Sequence, residues 1–298
     1  MSEVETTGLP IGVAMRIPAR EKDLGGFHVR RLLPVAKRRK VGPWVFFDHM
    51  GPADFAPGQG VNVRPHPHIN LATVTYLFDG HILHRDSLGT RSVISPGDIN
   101  LMVAGKGITH SEREEDEALK ASRHLDGLQL WLALPEADEE TDPAFYHYPA
   151  ADIPAFNDNG TAVRVMMGQA YGLTSPVKTF AQTLYAEARM KLGGRLQAPM
   201  SVAERAVYVI SGELGVEGLR LQAYEMAVLD EGAHVQLQAL SQDVHFVIIG
   251  GETLSERHIY WNFVSSRPER IEQAKADWKE GRFAKVPGDD IEFIPLPE

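Results

Sequence analysis

Two pairs of residues in this sequence have the types and spacing that hold a metal ion. His66 and His68 stand two apart in "VRPHPHIN", and His110 and Glu112 stand two apart in "ITHSE". On a β-strand, residues i and i+2 project from the same face, so each pair offers two donors side by side. Pro67 has no N–H and a fixed φ, which stiffens the segment between the histidines. Converging from two strands inside a barrel, the four groups supply three nitrogens and one carboxylate oxygen. Four protein donors on an octahedral metal leave two positions open. That suits a mononuclear non-haem iron able to take dioxygen and a substrate together. His66, His68, His110 and Glu112 are therefore the expected metal ligands. Fe(II) is the expected metal, and Mn, Co, Ni, Cu or Zn are the alternatives that an imidazole-rich site accepts. Glu112 is also the expected catalytic residue, because a carboxylate that leaves the metal or shares a proton can act as base toward a substrate hydroxyl.

The bland reading of each pair is a satisfied core histidine beside a surface polar group. One H-x-H alone is weak, and the second pair some forty residues along is what raises it. The remaining histidines point less clearly to chemistry. His49 in "FFDHMGP" and His84 in "HILHRDS" read either as supports of the site or as hydrogen-bonded turn residues. His81, His124, His147, His234, His245 and His258 have no partner ligand at strand spacing. The chain has no cysteine, which removes disulfides, thiolate sites and cysteine nucleophiles and argues against a closed structural zinc. No G-x-S-x-G, P-loop or G-x-G-x-x-G before a helix is present, so hydrolase-triad, NTPase and dinucleotide readings have no support.

Positioning these groups falls to short β-strands. From about residue 26 to 134 the pattern is strand-like. "INLATVTYLFDG" alternates and ends in a Gly turn, and "SVISPGDINLMVAGKG" gives two strands around Pro96-Gly97-Asp98. "LDGLQLWLALP" puts Leu128, Leu130, Leu132 and Leu134 on one face, and Gln129 and Trp131 on the other. "SEREEDEALKASR" reads as a solvated loop with a helical turn. Residues 135–160 are rich in Pro, Asp, Glu and Ala without a period and read as a linker. A second β-rich half follows. A helix is expected at about 267–281, with Ser266 as N-cap, Ile271, Ala274 and Trp278 as its apolar stripe and Gly281 as its end. The expected domains are 1–134 with the metal site, 135–160 as linker, and 161–298 without a metal site. "YLFDGHIL" and "YVISGELG" suggest a degenerate repeat at an offset of 208 − 76 = 132.

The composition is that of a soluble globular chain of 298 residues, 43% hydrophobic and 23% charged. With 27 Gly and 19 Pro, many short elements are favoured over a helical bundle. A net charge of −10 disfavours direct nucleic-acid binding. The basic run Lys37–Lys40 reads as a solvated loop, with an anion patch or localisation signal as the alternative. No apolar run is long enough to span a membrane, and the N-terminus does not read as a secretory signal. A cytoplasmic monomer is expected.

"RPHPHINLATVTYLFDG", "PGDINLMVAGKGITHSER" and "GLQLWLALP" resemble the pirin family of the cupin superfamily. The resemblance extends over "DLGGFHVRRLLPVAKRRKVGPWVFFDHMGP" and "WNFVSSRPERIEQAKADWKEGRF". It implies an all-β bicupin, two jelly-roll-like β-barrels with a short C-terminal α-helix and iron in the N-terminal barrel. The family's ligands fall on His66, His68, His110 and Glu112. The usual cupin glutamate position is Thr73 here, which is the pirin variant, and Leu101 stands where many relatives carry Trp. Under the offset of 132, His66 corresponds to Ala198 and His68 to Met200, so the second barrel reads as metal-free. The resemblance implies a quercetin 2,3-dioxygenase-type activity on a small aromatic substrate and dioxygen. Its alternative is an iron-dependent, redox-sensing binding protein or transcriptional coregulator, in which case a protein partner is expected.

Overall fold

The computed structural model describes residues 3–23, 28–158 and 160–298. It is built almost wholly from strands, and the α-helix among the described residues is Pro268–Lys279. The chain divides into two compact units. The first carries both candidate pairs and comprises Lys22–Val29, Asp48–Ala150 and Ser255–Glu298. The second comprises Met1–Glu21, Arg30–Phe47 and Ala151–Leu254.

The units repeat one topology. One seven-stranded sheet, most of it in the first unit, runs in the order Ala144–Tyr148, Ile99–Val103, Leu71–Asp79, Arg123–Ala133, Trp44–Phe55, His28–Leu33, Arg20–Asp23. The second has the matching order Val13–Pro18, Glu225–Leu229, Glu204–Ser211, Asp243–Gly251, Thr183–Lys191, Thr161–Met167, Ala155–Asp158. Each unit adds a four-stranded sheet. These run Asn62–His68, Ile108–Arg113, Ile82–Asp86, Arg91–Ile94 in the first unit, and Arg195–Gln197, Gln236–Ala239, Leu214–Val216, Leu219–Leu221 in the second. The sheets of a unit stay separate and pack face to face in the jelly-roll manner. In the second unit, Val207, Ala188 and Val165 of the large sheet share one core with Leu214, Leu221 and Leu237 of the small one. Gly80 and Gly212, with φ of 81° and 82°, end corresponding strands where an L side chain would be strained.

Linear order and compact unit part company at both ends of the chain. Val13–Pro18 pairs with Glu225–Leu229 in the second unit, and everything after Ser255, the helix included, belongs with the first. Residues 135–160 are not an aperiodic linker. Ala144–Tyr148 pairs with Ile99–Val103, and Ala155–Asp158 pairs with Thr161–Met167. These strands are held by backbone pairing with edges that a local pattern does not reveal. Glu139 of the same segment is buried and forms an ion pair with buried Arg257 at 3.1 Å. That pair fastens the C-terminal segment inside the first unit.

The helix buries Ile271 and Ala274 as expected, but its N-cap is Arg267, without a side-chain cap bond. Ser266 does not cap because its hydroxyl donates to Glu139 at 2.9 Å and its N–H to the same carboxylate at 2.7 Å. The basic run at 37–40 folds back on its own unit, with Arg38 on Glu204 at 2.5 Å and Lys40 on the Leu254 carbonyl at 2.7 Å. No helix among the described residues is long and apolar enough to cross a membrane.

Candidate metal centre

The two candidate pairs, His66 with His68 and His110 with Glu112, lie on adjacent antiparallel strands. His110 is opposite His66 and Ile108 opposite His68, and the register shifts between His110 and Glu112. The three imidazoles converge. Ring centroids are 4.3 Å apart for His66 and His110, and 5.0 Å apart for each of the other two pairings. One ring nitrogen from each lies within 4.8 Å of the others. All three histidines are buried.

Which nitrogen faces the centre follows from the other one. His66 Nδ1 is 2.9 Å from the Arg64 carbonyl, and His68 Nδ1 is 3.1 Å from the Asn262 carbonyl. A carbonyl only accepts, so each Nδ1 carries the hydrogen and leaves the lone pair on Nε2. His110 Nδ1 is 3.5 Å from His84 Nδ1, and its Nε2 is buried with no hydrogen-bond partner. Burial pushes the His66 imidazole down to about 4, and holds His68 and His110 well below the ordinary histidine range. At neutral pH the site is therefore three uncharged imidazoles with their lone pairs turned inward. A divalent cation needs such a set, and the unpartnered Nε2 of His110 is the orphan that a metal would satisfy. The triad is a metal-binding site.

Glu112 is buried beside the triad, two residues beyond His110 and opposite His84 on the neighbouring strand. Its oxygens are not among the atoms that meet within 4.8 Å. Burial pushes its carboxyl up to about 7. Trp131 sets its ring edge against His68, with centroids 5.0 Å apart. It is paired with Thr73, two residues from Thr75, whose hydroxyl donates to Gln129 at 2.7 Å. The side of "LQLWLALP" away from the leucine stripe thus lines the site.

Of the two uncertain histidines, His84 touches His110, whereas His49 pairs with Asp126 at 2.6 Å outside the triad. Asp86, bonded to His84 at 3.0 Å, escaped the sequence reading although His84-Arg85-Asp86 repeats the ligand-type spacing of His110-Ser111-Glu112. Asn262 had no such signal, because what it contributes is a backbone carbonyl.

The Pirin family model matches residues 26–132, and the model of the Pirin C-terminal cupin domain matches residues 185–284. The chain belongs to the pirin family. A pirin-like protein of Caulobacter vibrioides is 47% identical over 283 residues, covering 94% of this chain and 98% of that protein. A crystal structure of a quercetin 2,3-dioxygenase from Acinetobacter baumannii aligns with a TM-score of 0.88 at 31% identity, over 95% of this chain and 94% of that one. A second quercetin 2,3-dioxygenase structure from that organism aligns at 0.84 with 26% identity, over 93% and 99%. The pirin fold here is a bicupin, with both cupin units present.

Strand pairing also fixes what this pirin carries at the corresponding place in its second unit. Gly80 and Gly212 align the repeats at 212 − 80 = 132. His84, four residues after Gly80, is opposite Glu112; Val216, four after Gly212, is opposite Leu237. Leu237 therefore takes the place of Glu112, and Val235 that of His110. The N–H of Ala198, at the place of His66, donates to the Val235 carbonyl. Ala198, Val216, Val235 and Leu237 all belong to the apolar core of that unit.

Proposed function

We propose that this pirin is an iron(II)-dependent dioxygenase of the quercetin 2,3-dioxygenase type, acting on a flavonol-like aromatic substrate, with His66, His68, His110 and Glu112 as the metal ligands. The observation that carries the reading is the convergence of three neutral, buried imidazoles with their ligating nitrogens within 4.8 Å. The likeness to the two quercetin 2,3-dioxygenase structures supports the substrate class. The metal, when bound, supplies Lewis acidity and open coordination positions.

The protein's own residues do the rest. Glu112, buried beside the triad, is the carboxylate placed to take the proton of a substrate hydroxyl. Trp131 offers an aromatic edge, and Thr73, Thr75 and Gln129 offer polar groups on the same sheet face, so a flat polyphenol meets both kinds of surface. The lack of cysteine suits the reducing cytosol in which we place the enzyme.

Oxygen uptake with quercetin by the metal-loaded protein tests the reading. Consumption well above that of a His66→Ala control is expected, and equal rates would sink it. Metal analysis of the purified protein should find about one equivalent, dominated by iron.

A further inference from the structure

We propose that His84 and Asp86 are positioning residues for the ligand His110, forming a carboxylate-backed imidazole that decides which ring nitrogen of His110 meets the metal. The inference rests on the metal-site reading above. His84 and Asp86 lie on Ile82–Asp86, the strand beside Ile108–Arg113, with Asp86 opposite His110 and His84 opposite Glu112. Both are buried.

Asp86 is fixed first. Its Oδ1 accepts the backbone N–H of Leu88 at 2.9 Å and that of Thr90 at 3.1 Å, in the turn after its own strand. Its Oδ2 lies 3.0 Å from His84 Nε2. A carboxylate oxygen accepts, so His84 Nε2 carries the hydrogen. A neutral imidazole has one N–H, which leaves His84 Nδ1 as an acceptor. That atom is 3.5 Å from His110 Nδ1, so the hydrogen between them belongs to His110. The lone pair of His110 then sits on Nε2, the buried nitrogen without a partner. Phe145 lies over the His84 ring at 4.5 Å, with planes 24° apart, and keeps it from turning out of this line.

The other two ligands are set differently, each by one backbone carbonyl. His110 is set instead by an imidazole that a buried carboxylate orients. The repeat supplies an independent observation. At the offset of 132, His84 and Asp86 become Val216 and Gly218, so the pair is missing from the unit in which the ligands are missing.

The test uses cobalt(II) as probe on the full, metal-stripped chain, reading its dissociation constant by chelator competition and its visible ligand-field spectrum. His84→Leu should loosen cobalt by about 10–100-fold and shift the bands. His84→Gln can accept and donate at the same places and should restore affinity to within about threefold. Asp86→Asn should fall between. Wild-type affinity and spectrum in His84→Leu, with cobalt lost from His66→Ala, would overturn the relay and leave the metal site standing. Cobalt binding in His66→Ala equal to wild type, or none in wild type, would overturn both. If His84→Leu does not fold, Asp86→Asn decides: an unchanged affinity and spectrum there overturns the relay.

Discussion

Thr73 in the first unit and Arg205 in the second occupy the same place in the repeat, since 205 − 73 = 132. Thr73 is paired with Trp131, whose ring packs on His68. Arg205 is paired with Gly250, and a Cβ on Gly250 would come within 3.3 Å of the Arg205 side chain. A tryptophan stands opposite the threonine in one unit, and a glycine against the stem of the Arg205 side chain in the other. Arg205 is fully buried. It donates to the carbonyls of Asp230 and Ala233 at 2.9 Å each and of Pro199 at 3.2 Å, and approaches Met200 Sδ at 3.1 Å. Met200 stands at the place of His68. One unit therefore surrounds its centre with neutral bases that want a cation. The other carries a cation of its own, whose two terminal nitrogens donate to peptide oxygens. A duplicated scaffold has kept the strand order and reversed the polarity of the demand at its centre.

Several substitutions would break or sharpen this contrast. The largest effect is expected from His110→Ala. Metal content should fall from about one equivalent to near zero, because two imidazoles and a partly protonated carboxyl make a poor site. Metal retained in that variant would place the ion elsewhere. Arg205→Ala strikes the other unit. It strips several buried carbonyls of their donor and should cost on the order of 3–5 kcal/mol by denaturant unfolding, with metal binding intact. A loss below about 1 kcal/mol would mean that the guanidinium is not a structural cation.

The pH dependence of the metal-free protein comes next. The folded His66 titrates at about 4 and the unfolded residue near 6.5, so its stability contribution is complete above pH 6.5 and is lost as pH falls through 4. His68 and His110 act in the same direction. Glu112 opposes them. Its carboxyl is pushed up to about 7, so its contribution is complete below pH 4.5 and is lost as pH rises through 7. Three histidines outweigh one glutamate, and stability should climb between pH 4.5 and 6.5. Replacing His66 by Ala should flatten that climb by about 1.4 kcal/mol per pH unit. A slope identical to wild type would show that His66 is protonated in the folded state. The smallest effect is expected from Glu112→Leu, which gives the first unit the residue of the second. Removing a buried carboxyl should raise metal-free stability by about 1 kcal/mol at pH 7.5. A loss of stability there would mean that the carboxyl has a structural role.

The convergence of His66, His68 and His110 was legible because strand alternation is a local rule that needs only an extended backbone. Trp131 was assigned to the right face for the same reason. What lay beyond the sequence was non-local. Val13–Pro18 completes a sheet with residues more than two hundred positions away, and nothing in "VAMRIP" names that partner. Ala144–Tyr148 looked like part of a linker because its strand character depends on the edge of Ile99–Val103. Ser266 has the side chain of an N-cap, but the buried Glu139 claims it. The roles of Asn262 and Arg64 are invisible in principle, since any residue offers a carbonyl.

The hydrogen bond from His68 to Asn262 also sets an order of events. The triad comes from residues 66 to 110, yet the tautomer of one member is fixed by a residue nearly two hundred positions later. As the chain leaves the ribosome, all three imidazoles are exposed long before the segment after Ser255 arrives to orient the second. The set of inward-facing lone pairs is therefore complete only once the segment after Ser255 has docked and Asn262 has fixed the His68 ring.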